Sequence, residues 1–92
     1  MIEVRYSPQY TVTMMPAKEF SKRIHDCFND WGAPTPIRER AILLSKMLHI
    51  PTHQAWLFLE GQQLPDEPLL AQIAREFEVT PQWLKGELAR KH

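Results

Sequence analysis

The sequence predicts a mainly α domain, with five short helices behind a short extended arm. Three observations predict it. Apolar residues recur at helical spacing from Phe20 onward, and prolines and glycines cut that pattern into short lengths. Strict alternation of polar and apolar residues is confined to the N-terminal stretch. Ninety-two residues build one core and cannot divide it between two. Boundaries are expected at 1–15 for the arm, 16–88 for the helical domain and 89–92 for a basic tail holding Arg90, Lys91 and His92.

In the arm, Ile2, Val4 and Tyr6 alternate with polar residues, Ser7-Pro8-Gln9 reads as a turn, and Tyr10, Val12 and Met14 alternate again. Such a β arm or hairpin is marginal alone and must pack on the helices or pair with a second subunit. Pro16 suits the first turn of helix one, whose apolar stripe is Phe20, Ile24, Cys27, Phe28 and Trp31, with Gly32 as its stop. Ala33-Pro34-Thr35-Pro36 forms a loop in which Thr35 is the expected N-cap and Pro36 the first residue of helix two. Ile37, Ala41, Leu44 and Leu48 form that helix's buried face. Pro51 interrupts it, and helix three opens at Thr52-His53-Gln54 with Ala55, Phe58 and Leu59 inward before Gly61. Asp66 caps a fourth helix carrying Leu69, Leu70, Ile73, Ala74 and Phe77, and Thr80-Pro81 starts a last short one with Trp83 and Leu84.

An apolar fraction of 43% with 24% charged residues is ordinary for a globular protein. The N-terminal run lacks the basic start and apolar core of a secretory signal, and no stretch approaches the ~20 apolar residues of a membrane span. With Cys27 as the lone cysteine, a reducing cytoplasm is the expected location. Eleven basic residues balance eleven acidic ones, so any affinity for phosphates must come from their distribution. Lys18, Lys22, Arg23, Arg38, Arg40 and Lys46 make one part of the chain mildly basic, whereas Asp66 to Glu78 is acidic.

The run from Arg40 to Glu87, about half the chain, resembles the Cro/CI-type helix-turn-helix family of phage repressors and related bacterial regulators. Leu44-Ser45 falls on the family's Leu-Ala, His49-Ile50-Pro51 on its Gly-Val-Ser, and Leu59-Glu60-Gly61 with Pro65 on its Glu/Leu-x-Gly-x-x-x-Pro element. Leu70, Ile73-Ala74, Val79 and Trp83-Leu84-Lys85-Gly86 match its closing pattern. The resemblance implies a five-helix, lambda-repressor-like domain that binds duplex DNA and regulates transcription, acting as a repressor. A homodimer would read two half-sites through helix three in the major groove.

On that reading the outward set of helix three is Thr52, His53, Gln54, Trp56 and Leu57. Gln54 would pair with adenine, His53 would donate to guanine or phosphate, and Thr52 would bond a base or a phosphate. Trp56 and Leu57 would meet thymine methyl groups or the sugar edge. Arg38 and Arg40, then Lys22, Arg23 and Gln62, are the expected phosphate contacts. Blander readings stand beside these: Thr52 as an N-cap, Gln54 as a plain helix former, Arg38 and Arg40 as the solvated face of helix two.

Two departures from the family pattern carry expectations of their own. His49 replaces a glycine, so it must adopt the left-handed conformation or the turn must change. Trp56 and Leu57 stand where relatives carry Arg, Lys or Ser, and adjacent apolar residues of this kind also suit a protein partner, as in an antirepressor or antitoxin-like module. Catalysis is not expected: the chain has no phosphate-binding glycine loop, and its histidines show no metal-ligand spacing in a continuous helix. Neither a cofactor nor a metal is implied.

Overall fold

The computed structural model describes residues 16–87; the expected β arm at 1–15 and the basic tail at 89–92 lie outside them. The described chain is mainly α, with helices α1 (Pro16–Trp31), α2 (Ile37–Leu48), α3 (Thr52–Leu59), α4 (Glu67–Phe77) and α5 (Pro81–Leu84). Every helix sits where periodicity and punctuation put it. Gly32 follows α1 at φ 74°, a conformation that only glycine adopts freely. Asp66 accepts from the Leu69 N–H at 3.0 Å and Thr80 from the Trp83 N–H at 3.1 Å, so α4 and α5 start as their cap residues direct.

The N-caps of α2 and α3 differ from expectation by one residue. Pro36 and Pro51, not Thr35 and Thr52, occupy the two N-cap positions, both extended and without a side-chain cap bond. Proline carbonyls accept the first helical hydrogen bonds instead: Pro36 O takes the Glu39 and Arg40 N–H groups, and Pro51 O takes that of Ala55. Proline has the extended backbone a cap requires, and its missing N–H leaves nothing unsatisfied there.

The core is continuous across all five helices. Phe20, Ile24 and Phe28 of α1 meet Ala41 and Leu44 of α2, Ala55 and Phe58 of α3, Leu70 and Ile73 of α4, and Leu84 of α5. Phe20 meets Phe58 edge-on at 6.1 Å and Phe28 meets Phe77 at 5.2 Å, the arrangement that aligns ring edge with ring face. Cys27 is buried among them. Trp31, expected on the buried stripe, is 54% exposed because α1 ends there, although its ring still leans on Phe77 at 4.4 Å. Lys85 ties α5 to α4 by donating to Glu67 at 3.2 Å, and that hydrogen bond holds its ammonium above the ordinary lysine value.

Arg40 corrects the expectation of a phosphate contact, for it is 3% exposed. Its position four residues before Leu44 and eight before Leu48 puts it on the inner stripe of α2. There Nε donates to Pro34 O at 2.6 Å, Nη2 to Asn29 Oδ1 at 2.7 Å and Nη1 to His25 Nδ1 at 2.9 Å. The guanidinium also lies over the Phe28 ring, 5.4 Å from its centroid. Its acceptors are carbonyls, an amide and an imidazole at the C-terminal end of α1. That helix has no basic residue in its own last turn, so Arg40 brings the cation that its dipole favours.

Replacing Arg40 with Ala strands several buried acceptors and should cost about 2–4 kcal/mol. A fall of roughly 10 °C or more in the thermal midpoint follows for a domain of this size. Arg40→Lys should recover only part, since a point charge cannot reach three separated acceptors. An unchanged midpoint for Arg40→Ala in thermal unfolding followed by circular dichroism contradicts this role.

Candidate nucleic-acid interface

The segment expected to carry function is α2, the turn at residues 49–51 and α3. Two short pieces of secondary structure this close are held in a fixed relation only if the turn is fully specified. His49 takes the left-handed conformation at φ 58°, ψ 47°, with its N–H directed at Ser45 O. Ser45 O also accepts from the Ile50 N–H at 3.1 Å, closing the end of α2 as a glycine at that position would. Pro51 then fixes the extended residue that starts α3.

Side chains tie α3 at both ends. At its start, Thr52 Oγ1 donates to Ser45 Oγ at 3.3 Å, and Ser45 Oγ donates to Ile42 O at 3.0 Å. Thr52 therefore bonds α2 and caps nothing. At its end, Leu59 O accepts from Ser21 Oγ at 2.6 Å and from His25 Nε2 at 3.2 Å, which satisfies one of the carbonyls a helix C-terminus leaves open. Gly61 follows at φ 76° against α1, where an added Cβ would stand 3.1 Å from Lys18 Cδ. Ala55, Phe58 and Leu59 are buried between these ties.

The remaining side chains of α3 divide by exposure. Thr52 and His53 are exposed in its first turn, and Gln54 is partly exposed beside them. Trp56 and Leu57 are also only partly exposed, Trp56 being packed on the core. The polar end of α3 thus presents Thr52, His53 and Gln54 together. The expected apolar pair follows along the helix, partly exposed like Gln54.

The basic candidates separate into two groups. Arg23 is engaged: its Nε donates to Glu19 at 2.7 Å and its guanidinium lies over Trp83 at 4.9 Å, so it belongs to the packing of α5 on α1. This corrects its expected place among the phosphate contacts, together with Arg40. Lys22, Arg38 and Gln62 are exposed. Arg38 lies in the first turn of α2, roughly 15 Å along the helix axis from the turn. Lys22 shares a side of α1 with Lys18, Ser21 and His25, by its spacing of three and four, and these residues border Leu59 and Gly61. Lys22 and Gln62 are therefore gathered near the far end of α3.

Four contributors, Lys18, Ser21, His25 and Ser45, were not among the site residues expected from the sequence. Lys18 is exposed against Gly61, and its spacing of four from Lys22 was a legible signal. Ser45, Ser21 and His25 hold α3 through side-chain hydrogen bonds. Ser45 falls among the apolar positions of α2, where a buried hydroxyl needs a partner. Among the described residues no cluster of three or more His, Cys, Asp and Glu is arranged to hold a metal ion, and no helix is long and apolar enough to cross a membrane.

Comparison with family models, with curated proteins and with solved structures finds no match for this chain.

Since His49 is held left-handed at a cost that glycine avoids, His49→Gly should raise stability by about 0.5 kcal/mol, a shift of a few degrees in thermal midpoint. A drop in midpoint would show that the histidine side chain contributes more than its backbone strain costs.

Proposed function

We propose that this chain is a sequence-specific duplex DNA-binding regulator of transcription. In this reading α2, the turn and α3 form a helix-turn-helix of the Cro/CI type, and two copies bind an approximately two-fold operator in the cytoplasm. The observation that carries it is the exposed polar first turn of α3, Thr52 and His53 with Gln54 beside them, on a helix tied at both ends. A groove-reading element needs this combination: donors and acceptors that project outward, on a backbone that cannot swing away.

Phosphate contacts in this reading come from Lys22, Gln62 and Lys18 at one end of α3 and from Arg38 on α2. None of these carries sequence information; they set position and the dependence on salt. Because α3 has no lysine or arginine of its own, specificity rests on neutral hydrogen bonding by Gln54, Thr52 and His53.

A second reading is favoured by that same lack of charge. Trp56 and Leu57 keep part of their apolar surface exposed on α3, which suits a protein partner in place of a groove. Part of Trp56 is packed against the core.

Selection of bound sequences from a random duplex library separates the two. An enriched palindrome with half-sites about one helical turn apart is the expected outcome; no enrichment near physiological salt, with a partner lost on Leu57→Ala, favours the protein interface. Within the selected site, Gln54→Ala should weaken binding about tenfold or more and relax preference at one base pair. Lys22→Ala should weaken all sequences alike and lower the salt slope by about one. Titration by mobility shift at several salt concentrations reads both effects.

A further inference from the structure

Two of the four exposed large hydrophobic residues among the described residues sit side by side on the outer face of α2. Ile42 is 39% exposed and Leu43 38%, although the opposite face of the same helix already buries Arg40, Ala41, Leu44, Ser45 and Leu48 in the core. Beside this pair lies a shallow depression lined by Pro34, Glu39, Ile42 and Leu43. A helix needs one apolar face to fold onto its neighbours, so a second one has a separate use.

The charges around the pair identify that use. Glu39, Ile42, Leu43 and Lys46 are all exposed, and their i, i+3, i+4, i+7 spacing puts them in one stripe along α2. The stripe is its own complement when reversed. If a second α2 lies antiparallel with a two-fold axis between positions 42 and 43, Ile42 faces the partner's Leu43 and Glu39 faces the partner's Lys46. Each contact occurs twice by symmetry, which is what an isologous interface requires. The alternative parallel alignment would place Glu39 against the partner's Glu39 and Lys46 against the partner's Lys46. An antiparallel pair also sets each α2 dipole against the other.

We propose that α2 is a homodimerisation helix, pairing antiparallel with a second copy of this chain through Ile42 and Leu43, with Glu39 and Lys46 fixing the register at either end. The branched side chains interdigitate at the crossing, where helix axes approach to about 8–10 Å. The depression beside Pro34 receives the stem of the partner's Lys46, whose ammonium meets Glu39 at the depression's rim. This interface names the second copy that a two-fold operator requires, yet it rests on α2 alone and stands whether or not α3 enters a groove.

Sedimentation equilibrium of the full chain, without DNA, over a range of concentrations tests it. The wild-type chain should associate to a dimer. Glu39→Lys and Lys46→Glu each turn both attractive pairs into repulsive ones, and each alone should weaken association about tenfold or more. An equimolar mixture of the two variants restores opposite charges in both pairs and should form a heterodimer, as should the double variant with itself. These positions are exposed, so circular dichroism should show every variant folded. Leu43→Asp should leave a folded monomer. The proposal fails if the wild-type chain stays monomeric throughout, or if a dimer forms whose strength neither charge reversal changes. Failure here leaves the library selection of α3 untouched, so the two proposals stand or fall separately.

Discussion

The arrangement depends on one buried cation. The guanidinium of Arg40 reaches from the inner face of α2 into the open end of α1 and there takes up the Pro34 carbonyl, the Asn29 amide and the His25 imidazole. A charge in that position is tolerable only because every donor direction finds an acceptor and the end of a helix supplies a negative field. The loop at 33–36, the C-terminus of α1 and the start of α2 are consequently one unit. An apolar side chain of the same bulk would fill the space but leave those acceptors open.

Much of this was legible from residue order. Period and punctuation placed all five helices, because prolines and glycines act locally and the apolar stripes on α1, α3 and α4 are wide. The residues that escaped are the ones whose meaning depends on distant partners. Arg40 read as a surface base because arginine usually is one; only its four-residue spacing from Leu44 hinted otherwise. Arg23 likewise turned toward Trp83, more than fifty positions away in sequence. The N-cap assignments at Thr35 and Thr52 missed for a simpler reason: a proline next to a threonine competes for the same backbone position and has the better-matched dihedral.

The candidate site was legible in outline and not in its supports. Thr52, His53 and Gln54 stand at the open end of α3 as the pattern suggested. What holds them is a set of small polar residues, Ser45, Ser21 and His25, each unremarkable in sequence and each bonded across helices. A helix of eight residues has little stability of its own, so its orientation comes from these ties and from Phe58 against Phe20.

The two ring nitrogens of His25 do opposite jobs. Toward Arg40 the ring can only accept, and toward the Leu59 carbonyl it can only donate. One neutral tautomer alone fits both demands. The imidazole is therefore a rivet with a fixed polarity, joining the buried cation to the last carbonyl of α3. Through it, the pitch of the exposed helix is referred back to the far end of α1, and the polar tip at Thr52 inherits its aim from a charge almost wholly withdrawn from water.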